Sequence, residues 1–254
     1  MLMAKNSAIG WTDHTFNIRI GCTRASEGCV NCYAEDLDRK RFSQFGGAHW
    51  GPRAKRHILA DSTWKNPVKW DKDAAKEGTR KRVFCCSLAD AFENVDDGQL
   101  ERLWALIRVT PNLDWQLLTK RPENIARMLP ADWGDGWPNV WLGATVENQR
   151  RADERIPILR QIPAVVRFLS CEPLLEPVEL DLDGIGWAIV GAESDPFKRP
   201  LRPMELDWVR SLRDQCDTAG TDFFFKQADI DGHIVQGPLL DGVRWAQYPT
   251  PQVS

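Results

Sequence analysis

The sequence predicts an α/β protein, a partial or near-complete parallel β/α (TIM-like) barrel formed as a single domain over residues 1–254. Three observations carry this expectation. Short apolar runs alternate with amphipathic segments along most of the chain, the pattern of parallel strands joined by right-handed helical crossovers. No Gly-x-Gly-x-x-Gly follows the first apolar run, which removes the dinucleotide fingerprint of the alternative, a doubly wound open sheet. Side chains with functional groups recur just after the strands, where barrels and open sheets build their sites.

Taken in order, 16–20 is the first strand, followed by a cysteine-bearing loop and a helix at 33–41. A Gly-, Pro- and Trp-containing excursion at 42–80 reads as an insertion. The next strands fall at 82–87, 114–119, 139–145, 165–170, 187–191 and 222–226. Helices are expected at 99–109, 122–128, 149–161 and 204–218. A turn-rich extension at 228–254 contains a hairpin near 230–245. After successive strands stand Ser87 and Asp90, Thr119 and Lys120, Thr145 and Glu147, Cys171 and Glu172, Glu193, then Lys226 and Gln227. A single such residue is an ordinary turn or cap; the run across six strands is the signal.

The net charge of −3 hides an asymmetry. Residues 39–82 carry thirteen Lys/Arg against four Asp/Glu, a local +9, so the remainder sums to −12. Trp50, Trp64 and Trp70 lie within this stretch. Cations interleaved with rings suit a polyanion, since lysine and arginine pair phosphates and rings stack on bases. The alternative is a solvated insertion whose tryptophans pack on the core. No run of about 18 apolar residues suggests a membrane span, and the first residues lack the apolar core of a signal peptide. The expectation is a cytoplasmic protein without a membrane partner.

Seven cysteines, an odd count, argue against a disulfide framework. Three of them, Cys22, Cys29 and Cys32, form Cys-x6-Cys-x2-Cys between the first strand and the first helix. Three thiolates can hold three irons of a [4Fe–4S] cubane and leave the fourth iron open to chelate S-adenosyl-L-methionine (SAM). Structural zinc is the competing reading. It needs a fourth ligand, with Cys85, Cys86 or His14 as candidates. Cys85 and Cys86 are adjacent in a strand and should face opposite ways, so one at most could serve. Cys171 follows its strand directly and can reach the site.

The segments Gly10-Trp11-Thr12-Asp13, Phe16-Asn17, and Gly21-Cys22 through Cys32-Tyr33-Ala34-Glu35 resemble the phage-associated three-cysteine radical-SAM-like proteins. So do Ser87-Leu88-Ala89-Asp90, Leu118 through Pro122, Leu142 through Asn148, Ser170 through Leu174, and Val190 through Ser194. The resemblance runs from residue 10 to about 227. It implies a partial barrel of the radical SAM type, a [4Fe–4S] cluster, SAM, and an electron donor such as flavodoxin or ferredoxin. Reduced SAM would yield a 5′-deoxyadenosyl radical. Some members of the group are tied to thymidine hypermodification, where an isomerase moves a glycine on the thymine methyl carbon from an N-linked to a C-linked form. The substrate so implied is DNA carrying a modified pyrimidine, or the modified nucleotide. Two alternatives stand beside it: a zinc-stabilised nucleic-acid-binding module, and a radical SAM enzyme acting on a DNA lesion or on tRNA.

Roles follow as expectations. Cys22, Cys29 and Cys32 ligate iron. Ser87 and Asp90 hold the SAM amino group. Thr145, Glu147 or Glu172 bind ribose hydroxyls, while Gly191 and Glu193 belong to the strand lying along adenine. Lys120 takes a carboxylate or phosphate, with Arg121 and Lys226 as further cations. Cys171 or Tyr33 relays a hydrogen atom. Each of these residues has a plain structural reading as a cap or an ion pair.

Overall fold

The computed structural model describes residues 4–42, 48–194 and 200–250. Positions 43–47 of the expected insertion and the last four residues of the expected extension lie outside the described residues.

In chain order come β1 (Ala4–Lys5), β2 (His14–Thr15) and β3 (Arg19–Ile20), then α1 (Tyr33–Leu37) with a π turn at Asp38–Phe42. β4 (His57–Ile58) and α2 (Lys65–Glu77) precede β5 (Lys81–Cys85). Strand and helix then alternate through α3 (Gln99–Arg108), β6 (Leu113–Thr119), α4 (Ile125–Met128), β7 (Val140–Thr145), α5 (Gln149–Arg160), β8 (Val166–Cys171), β9 (Trp187–Gly191), α6 (Leu206–Ala219) and β10 (Asp222–Ile230). β11 (His233–Gln236), β12 (Leu239–Leu240) and β13 (Val243–Arg244) close the chain.

One sheet of nine strands runs in the order β1-β2-β5-β6-β7-β8-β9-β10-β11. From β2 to β10 every pairing is parallel; β1 and β11 add antiparallel edges. The two edges do not pair, so the sheet is a half-barrel, the expected partial TIM-like form. Trp115, Leu117, Leu142, Leu169 and Val190 point to the helices and join the main core. The alternate residues Phe84, Trp141, Phe168, Trp187 and Phe224 pack with Trp11 on the other face. Ring centroids there lie 4.6 Å apart for Trp11–Phe84 and 5.9 Å for Trp141–Trp187. Apart from Phe84, the strand-borne rings stand within the first three residues of their strands and pack that end of the half-barrel. The chain's last described residues add to this packing: the Tyr248 hydroxyl donates to the Gly10 carbonyl at 2.9 Å, and Phe225 N–H donates to the Trp245 carbonyl at 3.0 Å. The polar strand-end residues lie at the opposite, carboxyl end.

Three expectations need correction. The first strand is broken into β2 and β3, although Phe16 N–H still donates to the Phe84 carbonyl at 2.9 Å. The 42–80 excursion contains the 13-residue helix α2, whose buried face holds Pro67, Trp70, Asp71 and Ala74; interspersed lysines masked its period. Cys85 and Cys86 do not face opposite ways. β5 ends at Cys85, and both sulfurs are buried 3.1 Å apart in the main core, far from the pattern a strand alternation implies.

Candidate active site

The three clustered cysteines are free and half-exposed, whereas the other four are free and buried. The loop that carries them leaves β3 and lies across the carboxyl ends of the parallel strands. It is held there along its whole length. Thr23 N–H donates to Glu93 Oε1 at 2.7 Å, and Arg56 grips both Glu93 oxygens at 2.8 and 2.9 Å while donating to Thr23 Oγ1 at 2.9 Å. Arg121, just past β6, donates to the Thr23 carbonyl and pairs with Asp90 at 3.0 Å. Ser26 donates to Glu147, past β7; Glu27 pairs with Arg151 on α5 at 3.0 Å. Asn31 donates to Glu193, past β9, at 2.8 Å, and Arg202 bridges Glu193 to the Glu27 carbonyl.

Two of the three sulfurs have a nearby donor. Arg121 Nη1 stands 3.7 Å from Cys22 Sγ, and Ala25 N–H donates to Cys29 Sγ at 3.4 Å. Cys32 stands at the N-cap of α1 in extended backbone and makes no side-chain capping hydrogen bond. Burial pushes the Cys22 thiol up to about 12, and the carboxylates of Asp90 and Glu93 add to the shift. Burial also raises Cys32. Both are therefore thiols in the metal-free protein at neutral pH, and loading of a thiophilic group releases their protons. Glu93 and Glu193 move the other way. Burial disfavours their charged forms, but hydrogen bonds from Arg56 and Thr23, and from Arg202 and Asn31, override it and hold both below the usual carboxylate range.

This donor set fits an iron–sulfur cluster. A cubane takes one thiolate per iron, and N–H donors to sulfur are the usual tuning contacts; Cys22 and Cys29 have such donors.

The other expected residues divide sharply. Asp90, Glu147 and Glu193 are brought to the cysteine loop but are committed to holding it. Asp90 accepts from Phe92 N–H, Thr119 Oγ1 and Lys120 N–H at 3.0, 2.7 and 3.1 Å as well as from Arg121. Glu147 is fully buried and ion-paired with the equally buried Arg155 at 2.7 Å. The Ser87 hydroxyl accepts from Asn17 at 3.0 Å, and its carbonyl accepts from the Tyr33 hydroxyl at 2.7 Å. Burial raises the Tyr33 phenol. Cys171 is not brought to the mouth: it is fully buried in the helix-side core with Leu169 and Val190.

What stays open at the mouth is a smaller set. Lys120 is half-buried, its charge acts on Cys32, and it has no ion-pair partner among the described residues. Glu172 pairs with Lys226 at 2.6 Å. Thr145 and Ser170 sit side by side in the β7–β8 register, both nearly inaccessible. Two glycines make room. A Cβ on Gly191 would stand 2.8 Å from Glu172 Oε1, and one on Gly28 would stand 2.7 Å from Glu147 Oε1. Arg56, Glu93 and Arg202 are absent from the expected set. Their signal was invisible, because neither Arg56 nor Arg202 follows a strand.

Fold and site together define a half-barrel α/β protein with a three-cysteine loop fastened over its carboxyl rim. The chain belongs to the family described as Protein of unknown function (DUF5131), which matches residues 6–249. No curated protein matches the sequence. Among solved structures, a mutant of spore photoproduct lyase aligns with a TM-score of 0.50 at 11% identity, over 82% of this chain and 73% of that one. A second mutant aligns at 0.49 and 11% over the same shares. A third form, with bound AdoMet and dinucleoside spore photoproduct, aligns at 0.47 and 11%, over 80% of this chain and 61% of that one. At 11% identity the likeness is one of fold.

Proposed function

We propose that this chain is a radical SAM enzyme that modifies a base in nucleic acid. One observation carries the reading: three free thiols on a single loop, two of them with an N–H or guanidinium donor, pinned over the carboxyl ends of a parallel half-barrel. Cys22, Cys29 and Cys32 would hold a [4Fe–4S] cluster, which when bound supplies the electron that cleaves SAM.

The chain's own residues then have separable tasks. Arg56, Glu93, Arg121, Glu147 and Glu193 position the cysteine loop. Lys120 offers an unneutralised ammonium to the carboxylate of SAM or of a substrate. The Glu172–Lys226 pair stands at the mouth and supplies hydrogen bonds to ribose or base, with Thr145 and Ser170 buried beneath it. The aromatic packing at the opposite end keeps water from entering behind the bound groups.

For the substrate we favour a pyrimidine bearing glycine, isomerised from N-linked to C-linked in phage DNA, with flavodoxin or ferredoxin as donor. A base reached from this mouth must leave the duplex stack. The fold shared with a protein named for a photoproduct supports a second reading, lysis of a base lesion. No helix among the described residues is long and apolar enough to cross a membrane.

The test is anaerobic reconstitution with iron and sulfide. The expected product is brown, holds about four irons, and cleaves SAM when reduced; each Cys→Ala variant loses both properties. Tight stoichiometric zinc with no SAM cleavage refutes the enzyme reading. Mass analysis of modified oligonucleotides then separates the substrates: isomerisation conserves mass, whereas conversion of a lesion to separate bases is read by chromatography against standards.

A further inference from the structure

Helix α2 carries lysines at 65, 69, 72 and 76. The 4-3-4 spacing places all four within one narrow stripe of a 3.6-residue helix. All four are exposed, and the opposite face, with Trp70 and Ala74, is buried in the core. None of the four has an ion-pair partner among the described residues. Exposed arginines such as Arg108 and Arg210, by contrast, are paired with Asp132 and Asp207. The acids of α2 are engaged away from the stripe: Asp71 accepts from Asn112, Asp73 pairs with Lys5, and Glu77 pairs with Lys81. Asp73 feels the field of Lys69 and Lys76, but its contact is with Lys5. Lys65–Lys69 and Lys72–Lys76 are like charges at i,i+4, an arrangement that weakens an isolated helix.

We infer that this lysine stripe is a docking surface for the phosphate backbone of duplex DNA. The inference rests on the nucleic-acid reading of the site and adds the surface that would hold the substrate's flanking duplex. Charge complementarity selects the occupant, because the stripe is a local excess of cation on a chain of net charge −3. Its length agrees. Eleven residues of helix rise about 16 Å, about five phosphate steps along one strand. α2 runs antiparallel to β5: Asp71 accepts from Asn112 and Glu77 pairs with Lys81 at the amino ends of β6 and β5, so Lys65 is the end of the stripe directed toward the carboxyl rim.

Duplex binding by the full-length protein is measured by fluorescence anisotropy with a 20-bp DNA between 50 and 200 mM salt. Each phosphate contact contributes about 0.9 to the slope of log affinity against log salt. Replacing all four lysines by glutamine should lower that slope by about 3.6, so the gap between parent and variant narrows by about 150-fold across this range. Lys69→Gln with Lys72→Gln alone should lower it by about half as much. An unchanged slope in variants with parental circular dichroism overturns the proposal. So does tighter binding to anionic phospholipid vesicles or to an RNA hairpin than to the duplex. Iron content and SAM cleavage, measured on the same variants, should be unaltered; their failure in the parent protein would count against the enzyme reading and not against the stripe.

Discussion

Replacing Glu147 by alanine separates two roles that meet in one carboxylate. Glu147 is fully buried and pairs at 2.7 Å with Arg155, itself 5% exposed, while also accepting from Ser26 of the cysteine loop. Arg155 also donates to the Thr145 carbonyl at 2.8 Å. Removing Glu147 therefore strands a guanidinium in the core. Loss of one member of a buried pair costs about 3–5 kcal/mol. For a chain of this length each kcal/mol moves the melting temperature by about 2–4 °C, so the expected drop is about 6–20 °C. Urea unfolding read by tryptophan fluorescence gives the free energy directly. A Glu147→Leu, Arg155→Met double variant removes both charges and should recover most of that stability, because a packed apolar pair is a fair substitute for a buried ion pair. It cannot restore the Ser26 contact. Iron retention should therefore stay below that of the parent even where stability returns. A loss under 1 kcal/mol for Glu147→Ala would refute the argument from burial. Unchanged stability with a raised KM for SAM would instead mark Glu147 as a ribose ligand.

Glu93 should give the protein a pH-dependent component of stability. Its folded pKa lies below the unfolded value near 4.5, so its contribution is complete above that value and is lost as pH falls through the folded pKa; Glu93→Gln should be less stable than the parent at pH 7, with the difference closing in acid unfolding below about pH 4. Gly28→Ala places a Cβ 2.7 Å from Glu147 and should cost about 1–3 kcal/mol with reduced iron uptake; an unperturbed variant would show that the loop stands off the β7 rim. Cys171→Ala should lower stability modestly, as a small buried side chain does, yet leave SAM cleavage and product distribution unchanged, because the sulfur faces the helices. A change in product alone would place it in the reaction after all.

Much of the architecture was legible because it is written locally. Alternating apolar runs announce parallel strands, and the observed β6 to β9 differ from the expected ranges by a residue or so at their ends. The 42–80 segment was misread for a local reason as well: α2 has a 3.6-residue period, but Pro67 and the lysine stripe disguise its apolar face.

The cysteine loop was equally legible as a chemical motif, since three thiols in eleven residues are conspicuous in any context. What the loop is fastened to was not. Sequence alone determined that Asp90, Glu147 and Glu193 stand at strand ends and carry charge. Only the tertiary structure decided that they spend that charge on Arg121, Arg155, Ser26, Asn31 and Arg202 and so hold the loop, leaving Lys120 as the uncommitted cation near Cys32. The physical reason is that a carboxylate's role is set by which donors reach it. Those donors come from 31 to 121 residues away along the chain for Arg121 and Ser26, a separation at which no local pattern survives. The same holds for Cys171, whose place after a strand suggested the site until the pleat turned it toward the helices.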